Sequence, residues 1–475
     1  MAGALPEVLV VGGGPAGSAA ATLLARWGHA VTLLARPATP APDLGESIPP
    51  STHKLFDLLG VRAAIDAAPF IRSTGNTVWW GTDNARVELF AEGALGWQVT
   101  SGALATILLD HAKHAGVRVE RVRGQPRDRA AGPARFVLDC TGRAGLFARA
   151  CGLRAYDPKY RTVGMVGLWR SHGGFDLPDP SHTLIESYDG GWAWSVPRSQ
   201  HERFVAVMVD PRVMSGLKPE PARPRLKPGP ALYREQLGRT RELARLITGA
   251  TLAAGPTGWD ASMYHATRYV DDDILLVGDA ASFLDPLSSA GIKKALASGW
   301  LAAVAVHTAL TRPAMRQTAL DFFAAREAEV YASFRMMTER FFSEAAAGHA
   351  HPFWMDRSDA PASIADRQAV EAAFERLRTA PRLHVARSSG LRVQPQPAVR
   401  DAEIVLEPGV VTREGDAAVR YVFDVDLLAL IDLAPAYTSV PDLFVAYNQR
   451  HAPVALPDFL GALATALAHK WLVWL

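Results

Sequence analysis

Three glycines, Gly12, Gly14 and Gly17, stand in G-x-G-x-x-G spacing between the apolar run Val8 to Val11 and an Ala-rich stretch, and nothing else in the chain constrains its fold as tightly. The run reads as a buried parallel strand and the stretch as a helix. In that setting Gly12 permits a tight turn, Gly14 lets backbone approach a pyrophosphate, and Gly17 lets helix and strand pack closely. The helix starts at Pro15-Ala16, and its N-terminus turns bare N–H groups toward phosphate charge. The chain therefore opens as a Rossmann-like unit of the α/β class. The second strand, Ala30 to Leu34, departs from the pattern: Ala35 and Arg36 stand where an acidic residue for the ribose is expected. Arg36 reaches the adenosine or is surface charge, and taken alone it allows NADP.

A second segment, ILLVGDAASFLDPLSSAGIKKAL from Ile274, narrows the choice. Ile274 to Val277 reads as a buried strand ended by Gly278 and Asp279, with a helix after Gly291. It resembles the GD motif of FAD monooxygenases, in which the Asp binds a ribityl hydroxyl. Asp285-Pro286-Leu287-Ser288-Ser289 resembles the flavin-halogenase version of the loop that lies against the flavin ring. The resemblance implies FAD, held by Gly278, Asp279, Pro286, Gly291 and Ile292 beside the N-terminal motif. A helix N-terminus there stabilises anionic reduced flavin. Gly45-Glu46-Ser47-Ile48-Pro49 resembles the GES-x-x-P loop of flavin halogenases and adds Glu46 and Ser47 to the cofactor site. Phe136 to Gly142 resembles the strand and turn that close the FAD domain. Thr141-Gly142 replaces the Asp-Gly of nicotinamide-using hydroxylases, and Ser101 stands where an Arg is common. Direct use of reduced nicotinamide is thereby in doubt, so it or an external flavin reductase supplies the electrons.

Trp192-Ala193-Trp194-Ser195-Val196-Pro197 resembles the W-x-W-x-I-P signature of halogenases, but the lysine of those enzymes has no counterpart. Ser73 takes its place in Ile71 to Gly81, and no lysine occurs between Lys54 and Lys113. Arg72 stays protonated and is a poor nucleophile. What remains is oxygen chemistry. Reduced flavin and O2 give C4a-hydroperoxyflavin, an electrophilic oxygen donor that must be kept dry and within about 3–3.5 Å of an electron-rich ring. Trp79, Trp80, Trp192 and Trp194 are the candidate pocket residues, with core packing as the alternative. Glu46 and Asp285 are candidate bases, or fix loop shape through backbone hydrogen bonds.

The missing lysine, the Thr-Gly pair and an appended C-terminal region make the chain similar to the tryptophan-halogenase-like flavoproteins of tryptophylquinone biogenesis. That resemblance implies hydroxylation of a tryptophan in a small partner polypeptide, alone or with other maturation proteins. Two alternatives stay open. One is a halogenase, hydroxylase or reductase of a small aromatic natural product, and the other is a non-catalytic flavoprotein chaperone.

The resemblance also implies an antiparallel substrate sheet and an α-rich C-terminal extension. The expected domains are 1–50, 97–166 and 257–310 for FAD, 51–96 and 167–256 for the substrate sheet, a helical segment 311–389, and a winged-helix-like domain 390–475. Residues 212–230 read as a Pro-rich connection and 233–252 as helix, with Ser363 and Ser439 as N-caps. A net charge of +2 implies no nucleic-acid partner. No uncharged apolar stretch reaches the roughly 18 residues of a membrane span, and no signal peptide is evident, so a cytoplasmic protein is expected. Cys140 and Cys151 read as reduced thiols, and His111, His114, His349 and His351 as surface or capping residues rather than metal ligands.

Overall fold

The computed structural model describes residues 7–36, 44–122, 134–214, 225–226, 229–358, 364–411 and 418–475. Two compact units divide the chain, Met1–Ala360 and Pro361–Leu475. The helix Ile364–Thr379, grouped on sequence with the preceding helices, thus falls in the second unit. Ser363 lies outside the described residues.

In the first unit, Val8–Val11 is flanked in parallel by Val31–Ala35 and Phe136–Asp139. Ile274–Leu276 joins beyond Phe136–Asp139 and Arg118–Arg121 beyond Val31–Ala35, completing the parallel part of a six-stranded sheet. The central strands are buried along their whole length and mostly apolar, as strands covered on both faces are. The glycines act as their spacing predicts. Gly12 has φ +116°, and a Cβ there would lie 2.2 Å from the Cys140 carbonyl oxygen; one on Gly17 would lie 1.9 Å from the Gly12 oxygen. The helix Pro15–Arg26 packs on the helix Gly291–Thr311. Gly299 makes that approach possible, since its Cβ would meet the Ala16 oxygen at 2.3 Å.

The second layer is an eight-stranded sheet in the order Arg225–Leu226, Thr251–Asp260, Val163–Arg170, Glu202–Val209, Gly191–Ser199, Thr183–Tyr188, Gly75–Trp79, Arg86–Leu89. It is antiparallel except where Thr183–Tyr188 runs parallel to Gly75–Trp79. Strand alternation gives it two apolar faces. Val166, Ile185, Trp192, Val196, Phe204 and Trp259 form one. Val163, Met165, Leu184, Val205 and Val207 form the other, under Tyr233.

Three expectations are corrected here. Gly45–Ile48 is a strand, paired antiparallel with Gly96–Thr100, which pairs on its other side with Ile71–Ser73. Residues 233–252 do not form one helix. Helices Pro230–Leu237 and Glu242–Leu246 are separate, and Thr251–Asp260 is a strand after Gly249 at φ +77°. The break is set from outside the segment: the buried Glu186 carboxylate accepts the N–H groups of Arg241, Glu242 and Leu243 and starts a new helix. Residues 163–166 and 257–260 consequently belong to the second sheet rather than to the flavin layer.

The C-terminal unit has its own core, including Leu430, Ile431, Leu443, Tyr447, Phe459 and Leu463. Its long hairpin pairs Arg392–Arg400 with Glu403–Val411 and precedes the helices Leu427–Leu433, Val440–Arg450 and Leu456–Ala468. Tyr421–Val422 and Val425–Asp426 form a further short antiparallel pair. The last helix stops at Ala468, and Leu472–Trp474 pairs with Val385–Arg387. Ser439 caps its helix by accepting the Asp442 N–H. Among the described residues no helix is long and apolar enough to cross a membrane.

Candidate active site

A cavity of about 440 Å³ opens where the flavin-type layer meets the second sheet. Two helix N-termini bear on it, Pro15–Arg26 and Gly291–Thr311, and neither has a side-chain cap. Their orphan N–H groups are therefore left for a ligand. A Cβ on Gly14 or on Gly291 would meet nothing within 4 Å, so the cradle is open where a cofactor must approach. Pro15, Glu46, Ser47, Asp279, Pro286, Gly291 and Ile292 line this half. Gly12, Ala16, Gly17 and Gly278 stand behind it and shape the turns. Arg36 is exposed and outside the cavity, its carbonyl accepting from the Arg121 guanidinium at 2.8 Å. The donor set fits FAD: helix N–H groups for phosphate and for the ring edge, and the Asp279 carboxylate for a ribityl hydroxyl.

The family model for the FAD binding domain matches residues 6–318. The chain belongs to the FAD-binding flavoproteins. The tryptophan 2-halogenase of Chondromyces crocatus is 29% identical over 342 residues, 67% of this chain and 64% of that enzyme. The flavin-dependent halogenase armH1 of Armillaria mellea is 26% identical over 373 residues, 70% of each. The chain thus spans slightly under two thirds of the first of these relatives. Among solved structures, CmlS, a flavin-dependent halogenase, superposes with a TM-score of 0.78 at 20% identity, over 98% of this chain and 95% of that one. QhpG, a peptidyl tryptophan dihydroxylase essential for tryptophylquinone cofactor biogenesis, gives 0.64 at 23% identity, over 93% and 95%. These likenesses show the halogenase/monooxygenase fold, and the family model shows FAD as its cofactor.

The flavoprotein's other cavity wall is aromatic. Trp192 and Trp194 line it together with Trp259, Phe283, Ile185 and Thr183. Trp79 and Trp80 do not. Trp80 donates its indole N–H to the Phe341 carbonyl at 2.8 Å and packs edge-on against Trp354, deep in the core. Trp79, one residue away, points to the opposite face of the sheet, against the other core. Arg143, which sequence reasoning passed over, also lines the cavity, with its guanidinium 5.5 Å from the Phe283 ring centre. Its signal was its place directly after Thr141-Gly142.

Asp285 shapes its loop and lines the cavity. One carboxylate oxygen accepts the Leu287 N–H at 3.0 Å and shapes the Pro286–Ser288 turn. The other has no hydrogen-bond partner among the described residues. Burial pushes this carboxyl up to about 6, against the opposing pull of the Leu287 N–H and of Arg357. Glu46 lies on the strand Gly45–Ile48 and also faces the cavity.

Ser73 is 1% exposed, donates to the Gly75 carbonyl at 3.2 Å and does not reach the cavity. An amine does enter it from elsewhere. Lys294 lines the flavin half, with its Nζ donating to the Gly278 carbonyl at 2.8 Å and to that of Ser282. The Asp279 carboxylate lies 3.9 Å away. Burial pushes the Lys294 amine down, opposed by Asp279 and Glu327.

Among the described residues no group of three or more His, Cys, Asp or Glu forms a metal site. His351 caps a short helix by accepting the Phe353 N–H, His111 bonds the Leu59 carbonyl, and His349 pairs with Asp189. Both cysteines are free.

Proposed function

We propose that this flavoprotein hydroxylates an electron-rich aromatic ring, of the indole or phenol class, in a small molecule. Bound FAD supplies the activated oxygen. The observation that carries the reading is the cavity: the flavin cradle and an aromatic wall of Trp192, Trp194, Trp259 and Phe283 share one space of about 440 Å³, so that beside a flavin ring it has room for one further ring of modest size. The wall holds the ring and excludes water. The unpaired Asp285 oxygen takes the proton released from the substrate, and a carboxyl raised toward neutrality is suited to that work. Electrons come from an external flavin reductase, a choice supported by Thr141-Gly142 and by Ser101, whose N–H is tied to the Leu44 carbonyl.

Halogenation is the second reading. The names of the relatives favour it, and so does the entry of Lys294 into the cavity. Against it, Nζ is tied to the Gly278 and Ser282 carbonyls in the flavin half of the cavity rather than at the aromatic wall. A tryptophan presented by a polypeptide, as the sequence suggested, remains a further source of the same ring. Its support is the likeness to the peptidyl tryptophan dihydroxylase, which is one of fold.

One experiment separates these. The protein, reduced FAD and air are incubated with free indoles and phenols or with Trp-containing polypeptides, each with and without bromide, and masses are recorded. A gain of one oxygen on a small ring, indifferent to bromide, is the expected result. A bromide-dependent product establishes halogenation, and oxygen gained on the polypeptide alone restores the peptidyl reading.

A further inference from the structure

Behind the cavity wall five residues are arranged in a circuit. Lys294 donates to the Ser282 carbonyl, and Ser282 faces His265 across the antiparallel pair of Tyr264–Ala266 with Ser282–Phe283. The His265 imidazole packs on Tyr331, ring centres 4.8 Å apart. Tyr331 lies one turn beyond Glu327 on the helix Arg316–Ala346, and the Glu327 carboxylate feels the charge of Lys294 with no direct hydrogen bond between them, which leaves a gap of the size a bridging water fills. Four polar atoms of this ring are buried and have no hydrogen-bond partner among the described residues: Ser282 Oγ, His265 Nδ1, Tyr331 Oη and Glu327 Oε2.

A buried polar atom left unpaired costs about 1–3 kcal/mol. Four around one circuit define a polar interior of the kind that ordered water completes, each water making about three hydrogen bonds. The circuit also has two ends. Lys294 is 5% exposed and borders the cavity, whereas His265 is only half-buried and borders solvent.

We propose that this ring holds ordered water and carries protons between the flavin chamber and solvent. The inference rests on the cavity being the flavin chamber. A proton leaving the chamber arrives at Lys294 Nζ as another leaves it, through a bridging water, for the Glu327 carboxylate. It crosses by water and the Tyr331 hydroxyl to His265, which releases it to solvent, and no electrons move. The charged and titratable groups facing the circuit are Asp279 beside Lys294, Tyr269 beside Glu327, and Asp157 and Arg335 beside Tyr331. Burial raises the Glu327 carboxyl and lowers the Lys294 amine, which brings the two protonation arrangements of the pair closer in energy.

Two measurements test it. In a high-resolution crystal structure of the full chain, ordered water is expected on Glu327 Oε2, Tyr331 Oη and Ser282 Oγ; a dry ring overturns the proposal. This arm needs no flavin, so it stands apart from any failure of the FAD reading. The second arm uses the FAD-loaded protein and Tyr331→Phe, which keeps the aromatic packing and removes the hydroxyl. FAD affinity, read by flavin fluorescence, is expected to stay unchanged. Reoxidation of the reduced bound flavin in air is expected to slow by about tenfold or more and to recover on adding imidazole as a diffusible proton carrier. An unchanged rate, or a slow rate that imidazole does not restore, overturns the relay, since a merely structural role would not respond to buffer.

Discussion

Asp285 accepts the Leu287 N–H at 3.0 Å with one carboxylate oxygen and leaves the other unpaired beside the aromatic wall. This geometry gives the site a titration with a definite sign. The folded carboxyl sits at about 6, above its ordinary 3.8. Its contribution to stability is therefore fully present below pH 3.8 and is lost as pH rises through about 6. The full loss is roughly 3 kcal/mol. Asp285→Asn keeps the acceptor for Leu287 and cannot ionise. Its melting temperature relative to wild type is expected to rise between pH 5 and pH 8, while product formation falls at every pH. A stability difference independent of pH would show that Asp285 does not titrate there.

Gly14 and Gly17 answer to different constraints, and alanine separates them. A Cβ on Gly14 meets nothing within 4 Å, whereas one on Gly17 falls 1.9 Å from the Gly12 carbonyl. Gly14→Ala is expected to leave the apoprotein's melting temperature nearly unchanged and to weaken FAD binding by tenfold or more, about 1.4 kcal/mol. Gly17→Ala is expected to destabilise the apoprotein itself by about 1–3 kcal/mol, the cost of overpacking. Fluorescence titration with FAD and thermal unfolding of the flavin-free protein read the two effects.

Lys294 and Glu327 are both almost wholly buried, and Lys294 is the cation that offsets the burial of the Glu327 carboxylate, while Asp279 is a second anion beside Lys294. Lys294→Met is expected to cost about 3–5 kcal/mol, because it leaves a buried carboxylate without its cation. The double variant Lys294→Met with Glu327→Leu is expected to regain most of that loss. Urea unfolding of the four proteins gives the coupling, and additive losses would mean that the two charges do not interact.

The flavin half of the site was legible because its signals are local. Gly12, Gly14 and Gly17 each serve a turn or a contact inside a few residues, and Gly278, Asp279 and Gly291 do the same in the second segment. The substrate half depends on which strands become neighbours. Trp80 looked like a pocket residue, yet the parallel pairing of Gly75–Trp79 with Thr183–Tyr188 carries it toward Trp354. The 233–252 stretch reads as helical by composition, and the distant Glu186 carboxylate, which starts a second helix inside it, is invisible to local reading. Lys294 escaped notice for a like reason: only the packed helix shows which face of Gly291–Thr311 meets the cavity.

The C-terminal unit carries the last expectation. Its core residues Leu430, Ile431, Leu443, Phe459 and Leu463 have no solvent exposure, and Ser439 and Asp426 cap its helices. Tyr447 adds a hydrogen bond, accepting the Asp426 N–H at 2.7 Å. A segment with a closed core and capped helices contains what independent folding requires. Residues 361–475 expressed alone are therefore expected to unfold in a single cooperative transition. Within that segment Leu463→Ala should lower the unfolding free energy by about 2–5 kcal/mol, since it removes a fully buried leucine. Ser439→Ala should lower it by about 1 kcal/mol, the worth of a helix cap. Circular dichroism in urea measures all three, and a segment that melts without a cooperative transition would mean that this core needs the rest of the chain.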